Sequence, residues 1–444
     1  MSQRELVVSV NGQPVGSLRE GNDLWTFEYS ADWAASPASF DLSPALRREQ
    51  RIHVDGASSR PVQWYFDNLL PEEALRTTLA READVSAEDA FGLLSYFGAE
   101  SAGSLTLTDP AHPRSTERGL KKLPFAELSQ RIANLPRASL TQDAPKKMSL
   151  AGAQHKLLVV LKDGQLFEPL PGTPSTHILK PNHTGYEYPA SVINEYFCMR
   201  LAKMVGVSVP DVWKIRVPQP VYIVERFDRI RTPGALGVQR RHAIDACQLL
   251  NKARTFKYTA AQAATLGETA EQCREKAAAR LKLFNWLLFN LFIGNGDNHL
   301  KNLSFIVDGH GVHIAPAYDL LSTAAYDTKA LAEAEAHWSR SPLAIPLGEA
   351  ATFAEVRPSH VIEGARAIGI AAATAQRNFD RMRSTILGKA DRLIEQIEHE
   401  NAQVPSQTVP GGDEIMLKAA LAAETRLLNT LRHIVLTDMV KQLS

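Results

Sequence analysis

Gly294-Asn295-Gly296-Asp297-Asn298-His299-Leu300-Lys301-Asn302-Leu303-Ser304 is the segment whose reading decides the rest of the chain. It follows an apolar helical run, Leu283 to Ile293, and leads into a strand-like piece, Leu303–Val307 with Val312–Ala315, joined through Asp308-Gly309. Ala317-Tyr318-Asp319-Leu320 comes next, with Asp319 seventeen residues beyond Asn302. An Asp, an Asn five residues on, a short hairpin and a second Asp suit phosphoryl transfer. The first Asp accepts or orients the hydroxyl proton, while the Asn and the second Asp hold Mg2+ on the nucleotide phosphates. The hairpin folds these groups back to face each other. The plain alternative is turn chemistry, since Gly-Asp and Asn-Gly pairs are ordinary turn formers. Taken alone, the Asp-x4-Asn spacing fits either.

Working outward, Asp297, His299 and Asn302 form D-x-H-x-x-N, a pattern similar to that of the phosphatidylinositol kinase relatives. Upstream lie three apolar strand candidates, His155–Leu161, His177–Lys180 and Val221–Val224, with a helix, Ala190–Val205, between the last two. Lys180 ends its strand, where a lysine reaches nucleotide phosphates, and Glu195 on the following helix is placed to pair with it. Lys180 read by itself, before Pro181, is a solvated surface lysine. Val224-Glu225-Arg226-Phe227-Asp228-Arg229 follows the third strand, where a hinge offers backbone groups to adenine; read plainly, it is a charged loop with one buried Phe. The run Met148-Ser149-Leu150-Ala151-Gly152-Ala153-Gln154-His155-Lys156 has small residues that let backbone approach phosphates. It is not a P-loop, because the G-x4-G-K-[ST] spacing is absent.

Composition sets bounds. With 444 residues, 44% of them apolar, the chain can bury a large core and its length suggests two or three domains. Lys plus Arg number 49 against 49 Asp plus Glu, and a neutral chain is a poor candidate for binding nucleic acid by bulk charge. Cys198, Cys247 and Cys273 are widely spaced, with no C-x-x-C pair, so neither a zinc ribbon nor a disulfide framework is indicated. Free thiols fit a reducing cytosol, and a cytoplasmic location is expected. Cys247 reads as a small buried hydrophobe rather than a nucleophile. No His or Cys stands at ligand spacing around His299. The first residues carry no apolar signal segment, and Leu283–Ile293 is too short to span a bilayer and contains Asn285 and Asn290, so no membrane partner is expected.

The periodicities suggest an α+β chain. Residues 5–30 alternate apolar and polar around the turn Asn11-Gly12, and Leu24–Tyr29 reads as a further strand. Pro71-Glu72-Glu73 and Ser86-Ala87-Glu88-Asp89 open helices. The expected organisation is a small α+β unit over 1–108, a connecting region over 109–147 and a nucleotide-binding lobe over 148–244. A mostly helical lobe with the catalytic and metal-binding loops follows over 245–444, and Val404–Asp413 is a loop before its last helix.

Taken together, the N-terminal unit, the Ser149–Lys156 loop, Thr176–Lys180, Val224–Arg229, Asp245-Ala246-Cys247-Gln248, Asp297–Asn302 and Tyr318-Asp319 resemble the HipA family. These are serine/threonine kinase toxins of bacterial toxin–antitoxin pairs. The resemblance covers almost the whole chain. It implies a two-lobed kinase fold, related to the phosphatidylinositol and protein kinases, with an added N-terminal subdomain. It implies ATP and Mg2+ as cofactors, Asp297 as catalytic base, and Asn302 and Asp319 as Mg2+ ligands. Lys180 would hold the phosphates, and Glu225, Arg226 and Phe227 would line the adenine site. The loop Ala151, Gly152, Ala153, Gln154, His155 and Lys156 would close over the nucleotide, and His299 and Tyr318 would touch ATP. Ser149 matches the serine that the family autophosphorylates, whose added phosphate would silence the enzyme. The implied protein substrate is glutamyl-tRNA synthetase or another translation factor. The implied partner is a HipB-like helix-turn-helix antitoxin that also binds operator DNA. Around the region through which the family contacts DNA, this chain shows Arg366 with fewer basic residues than expected, which argues against direct DNA contact and agrees with the implied route to operator DNA through the antitoxin. Two other readings stay open: a small-molecule or lipid kinase of the same fold, and a non-catalytic co-repressor bridging antitoxin on DNA.

Overall fold

A computed structural model describes residues 3–113, 115–147, 152, 154–231, 237–332, 335–403 and 414–444. The loop expected over Val404–Asp413 lies outside the described residues. The chain divides into two compact units, one of Met1–Leu179, Glu225–Lys257 and Ser304–Ala315, the other of Lys180–Val224, Tyr258–Leu303 and Pro316–Ser444.

In the first unit a five-stranded antiparallel sheet runs in the order Ile52–Val54, Leu24–Tyr29, Gln13–Gly21, Arg4–Val10, Leu105–Thr108. Leu6, Val8 and Val10 point inward at every second residue, as the alternation demands. Helices Pro61–Asp67 and Ala90–Phe97 pack on the sheet, and Glu73–Ala83 packs against the latter. Phe91 meets Trp25 edge-on at 5.2 Å, and Phe66 lies 5.6 Å from Phe27. Asp89 caps the third helix by accepting the Gly92 N–H. A second set of strands follows the order Leu120–Lys122, Gln165–Pro169, Leu157–Lys162, His177–Pro181. Leu157 to Val160 are all buried, which is why that strand reads as an unbroken apolar run. Ala243–Asp245, Ser304–Asp308 and Gly311–Ile314 form a three-stranded sheet, and Phe227 packs on its buried Ala243, Ile306 and Ala315.

An ion cluster lies inside this unit. Glu100, fully buried, meets Lys146 at 2.5 Å, Arg229 at 2.9 Å and Arg226 at 3.3 Å, and takes the Ser175 hydroxyl at 2.7 Å. Asp228 meets Arg226 at 2.7 Å and Arg229 at 3.0 Å, and accepts the Gly103 N–H. Burial pushes the Glu100 carboxyl upward, but Lys146, Arg229, Arg240 and Arg226 outweigh it and hold it well below the usual carboxylate range. Nearby, His242 is buried against the Leu42 carbonyl, Tyr65 and Ser104. Burial lowers it to about 4 against the pull of the Leu42 carbonyl.

The second unit is mainly helical. Ser191–Val205, Lys276–Phe292 and Ala372–Ala402 carry its core, and Glu414–Thr430 continues through a π-helical turn, Leu431–Leu436, into Thr437–Gln442. Val212–Arg216 pairs with Pro220–Val224, and Pro342–Leu347 with Ala350–Thr352. Lys214 and Arg216 each reach the buried Glu424 at 2.8 Å, fastening the C-terminal helix to that first hairpin. Among the described residues, no helix is long and apolar enough to cross a membrane.

Two outcomes follow for the first unit. Glu100→Ala leaves a group of buried cations uncompensated, and chemical denaturation should show a loss of about 3–5 kcal/mol. Stability should also fall with acid in two stages. His242 stays neutral when folded, so its contribution is complete above 6.5 and is lost as pH falls toward about 4. Glu100 keeps its charge below its ordinary 4.5, so its contribution is lost from there downward. Burial lowers His177 to about 4 as well, so the unfolding free energy measured from pH 7 to 4 should fall with a slope approaching two groups, about 2.7 kcal/mol per pH unit, with the loss from Glu100 joining below 4.5.

Candidate active site

Lys180, Glu195, Asp297, His299, Asn302, Tyr318 and Asp319 all belong to the second unit. Lys180 is not a solvated lysine. Its Nζ lies 2.8 and 3.0 Å from the two Glu195 oxygens and 2.5 Å from Asp319 Oδ1. Lys180 and Glu195 are buried, whereas the Asp319 carboxylate stays about one-third exposed, at 32%. Burial pulls the Lys180 pKa down, and the Asp319 and Glu195 carboxylates more than reverse it, so the ammonium is held charged above its ordinary range. Asp319 itself sits at φ 57°, a strained position that few residue types other than Gly, Asn and Asp accept.

The Asp297 segment is pinned by neutral amides. Gly294, at φ 63°, opens it; a Cβ there would lie 2.7 Å from Ala324 and 2.8 Å from Val435, so only glycine fits. Asn290, in the last turn of the apolar helix, accepts from the Asn295 side chain at 2.7 Å, and Asn295 in turn accepts the Asp297 N–H at 2.9 Å. Gly296 donates its N–H to the Thr323 hydroxyl at 2.7 Å. Asn302 donates from its side chain to the Asp297 carbonyl at 2.7 Å, closing the loop on itself. The Tyr258 hydroxyl donates to Asp297 Oδ1, and the Tyr258 ring meets the His299 ring edge-on at 4.9 Å. His299 Nε2 lies 4.0 Å from Asp297 Oδ1.

The Asp297 and Asp319 segments are tied together. Tyr318 donates its hydroxyl to the Lys301 carbonyl at 2.8 Å, a bond between the neighbours of Asp319 and Asn302. Three residues past Asp319, the Ser322 backbone is gripped at both ends by Asn194, whose Oδ1 accepts its N–H and whose Nδ2 donates to its C=O, each at 2.8 Å. Asn194 Nδ2 also donates to the Tyr326 hydroxyl at 3.2 Å. Asn194 is fully buried and immediately precedes Glu195 on the helix Ser191–Val205. One helical turn thus fixes both carboxylates that hold Lys180. Asn194, Tyr258, Asn290 and Thr323 escape a reading of motifs. A lone amide within a buried run is the signal that marks Asn194 and Asn290, and Tyr258 has none.

The other expected site residues that are described, Gly152, Gln154, His155, Lys156, Glu225, Arg226 and Phe227, belong to the first unit. Ser149, Ala151 and Ala153 lie outside the described residues. Gly152 stands at φ 111°, with the Lys156 ammonium so close that a Cβ would come within 2.7 Å of it. Gln154, His155 and Lys156 are half-buried, and Glu225 is exposed. The Arg226 guanidinium is occupied by Asp228, Glu100, Ser175 and the Ser101 carbonyl. Chemically, the second unit offers a charged lysine for phosphate oxygens, a carboxylate suited to a hydroxyl proton, and an amide with a carboxylate as hard oxygen donors. That donor set fits Mg2+, which takes one or two carboxylates and completes its shell with water and phosphates.

A family model described as HipA-like C-terminal domain matches residues 148–390, and one described as HipA N-terminal domain matches residues 6–108. Among curated relatives, Y4mE of Sinorhizobium fredii, provisionally named a kinase, is 32% identical over 410 residues, covering 89% of this chain and 93% of its own. The serine/threonine-protein kinase toxin HipA of Shewanella oneidensis is 33% identical over 323 residues, covering 69% of this chain and 71% of its own. A solved structure from Shewanella oneidensis, of HipA with HipB and operator DNA, matches with a TM-score of 0.74 at 25% identity, over 99% of this chain and 100% of that one. The fold is accordingly the expected α+β, two-lobed, kinase-like one.

Asn194→Ala would remove both Asn194 bonds to the Ser322 backbone and leave the buried C=O without the amide that serves it. A loss of about 2–3 kcal/mol in denaturation is expected, against about 1 kcal/mol or less for Tyr326→Phe, which removes only the third bond.

Proposed function

This chain belongs to the HipA family of serine/threonine-protein kinase toxins, and from that premise we propose that it transfers the γ-phosphate of ATP to a serine of a protein target. The observation that supports this most directly is the intact ionic triad of Lys180 with Glu195 and Asp319, since a degenerate site has no need of a buried lysine held charged.

Lys180 would meet the α and β phosphates. Asp297 would take the proton of the serine hydroxyl as its oxygen bonds to the γ-phosphorus; the bond from that phosphorus to the bridging oxygen breaks, and ADP leaves with the electron pair. Asn302 and Asp319 would hold Mg2+, which neutralises charge on the phosphates when bound. Carried by the family resemblance, His299 and Tyr318 contact ATP, Glu225, Arg226 and Phe227 line the adenine, and the 151–156 loop covers the phosphates; since the Arg226 guanidinium is taken by Glu100 and Asp228, its backbone is what it offers there. The same premise makes Ser149 the autophosphorylated residue and a HipB-like helix-turn-helix antitoxin the partner that neutralises the toxin and carries it to operator DNA. The target is a cytoplasmic translation component, with glutamyl-tRNA synthetase as the family's example.

Wild type and Asp297→Asn, each incubated with Mg2+-ATP and analysed by intact mass and peptide mapping, test the reading. Phosphate on Ser149 in the wild type alone is expected. ATP consumed without phosphate on protein would make the enzyme a small-molecule kinase, and ATP left intact would favour the co-repressor.

A further inference from the structure

Tyr258 carries two contacts that none of the roles above require. Its hydroxyl donates to Asp297 Oδ1, and its ring stands at 80° to the ring of His299, with centroids 4.9 Å apart. One side chain therefore touches both outer members of the Asp297-Asn298-His299 triplet. Tyr258 is 42% exposed and the Asp297 side chain 44%, so the contact lies at the surface of the unit rather than in its core. A carboxylate that open to solvent keeps one orientation only where donors hold it.

We propose that Tyr258 is a positioning residue for phosphoryl transfer, holding the Asp297 carboxylate through its hydroxyl and the His299 imidazole through its ring. This rests on Asp297 being the base, and it adds the group that aims it. A carboxylate offers about four acceptor positions on its two oxygens, so one donated bond fixes the plane of the group without exhausting its capacity to take a hydroxyl proton. The donor's chemistry suits the task. A lysine or arginine at this position would fix the carboxylate equally well, but its charge would stabilise the ionised form and weaken the base. A phenol orients it without adding a charge. Misplacement by an ångström can cost about a hundredfold in rate, which is the scale of effect an aiming contact controls.

The test compares wild type, Tyr258→Phe, Asp297→Asn and the double variant in single-turnover self-phosphorylation with γ-labelled ATP, alongside affinity for a non-hydrolysable ATP analogue and thermal unfolding. Tyr258→Phe keeps the ring on His299 and removes only the hydroxyl. Its phosphoryl-transfer rate should fall about ten- to a hundredfold, with analogue affinity and melting temperature unchanged, and with no further loss when added to Asp297→Asn. An unchanged rate in Tyr258→Phe beside an inactive Asp297→Asn overturns this proposal and leaves the kinase reading intact. A faster rate would make Tyr258 an obstruction, and a loss of affinity and melting temperature together would make it structural; either also overturns it. Full activity in Asp297→Asn, or none in the wild type, would instead sink the assignment of the base, and this proposal with it.

Discussion

One buried lysine sets the terms for the second unit. Lys180 is removed from water, which alone would drive it toward its neutral form, yet it carries two carboxylates at ion-pair distance, Glu195 and Asp319, and the balance falls on the charged side. The arrangement is asymmetric in a way that matters. Glu195 is as buried as the lysine and pairs through both oxygens, so it is a permanent counter-ion. Asp319 offers one oxygen and stays partly in solvent. Two carboxylates around one ammonium leave a net negative charge, and the exposed member is the one a divalent cation can recruit. Removing the lysine would leave two anions facing each other at the edge of the core, which is why the rest of the unit is arranged to keep it there.

The means of keeping it there is a single helical turn. Glu195 and Asn194 are consecutive, and Asn194 grips the chain three residues beyond Asp319 by copying the pairing of a β-strand, one donor and one acceptor to the same residue. Any movement of that helix would displace both carboxylates at once. The positive φ of Asp319 is tolerable in such a setting, because strain at one residue persists only where its surroundings over-determine it.

How much of this could be read from the sequence depends on how local the cause was. The hairpin around Asn11-Gly12, the helix expected from Ala190 and observed over Ser191–Val205, and the pairing through Asp308-Gly309 rest on short-range periodicity and turn chemistry, and they form as expected. Val212–Arg216 was not legible as a strand. It carries Lys214 and Arg216, and polar residues there make sense only with Glu424 more than two hundred residues away. Lys146 sits in a stretch that reads as a basic connector, and its partner, Glu100, lies 46 positions upstream. The hairpin of Pro342–Leu347 with Ala350–Thr352 interrupts a stretch whose pattern reads as helical. At the candidate site, the D-x-H-x-x-N spacing and Asp319 stand out in the sequence because the chemistry proposed for them depends on residue type and order. Asn194 and Tyr258 do not, since each acts through a partner 128 or 39 residues distant.

A division of labour between charge and amide runs through the site. The charged groups there are Lys180, Asp297 and Asp319, which carry the proposed contacts to phosphate, proton and metal, and Glu195, the counter-ion of Lys180. The scaffolding around them is neutral: Asn194, Asn290, Asn295, Asn302, Thr323, Tyr258 and Tyr318. A carboxamide supplies donor and acceptor from one side chain and costs far less to bury than an ion, so it can fix a loop without adding to the field the reaction feels. The first unit solves a different problem with the opposite choice, burying Glu100 and Asp228 among arginines and a lysine to lock segments far apart in sequence. Ions suit a structural centre, where a strong field does no harm. Beside a carboxylate proposed to act as a base, a neutral donor adds no charge of its own, and the tyrosine rather than lysine that stands against Asp297 is in keeping with that role.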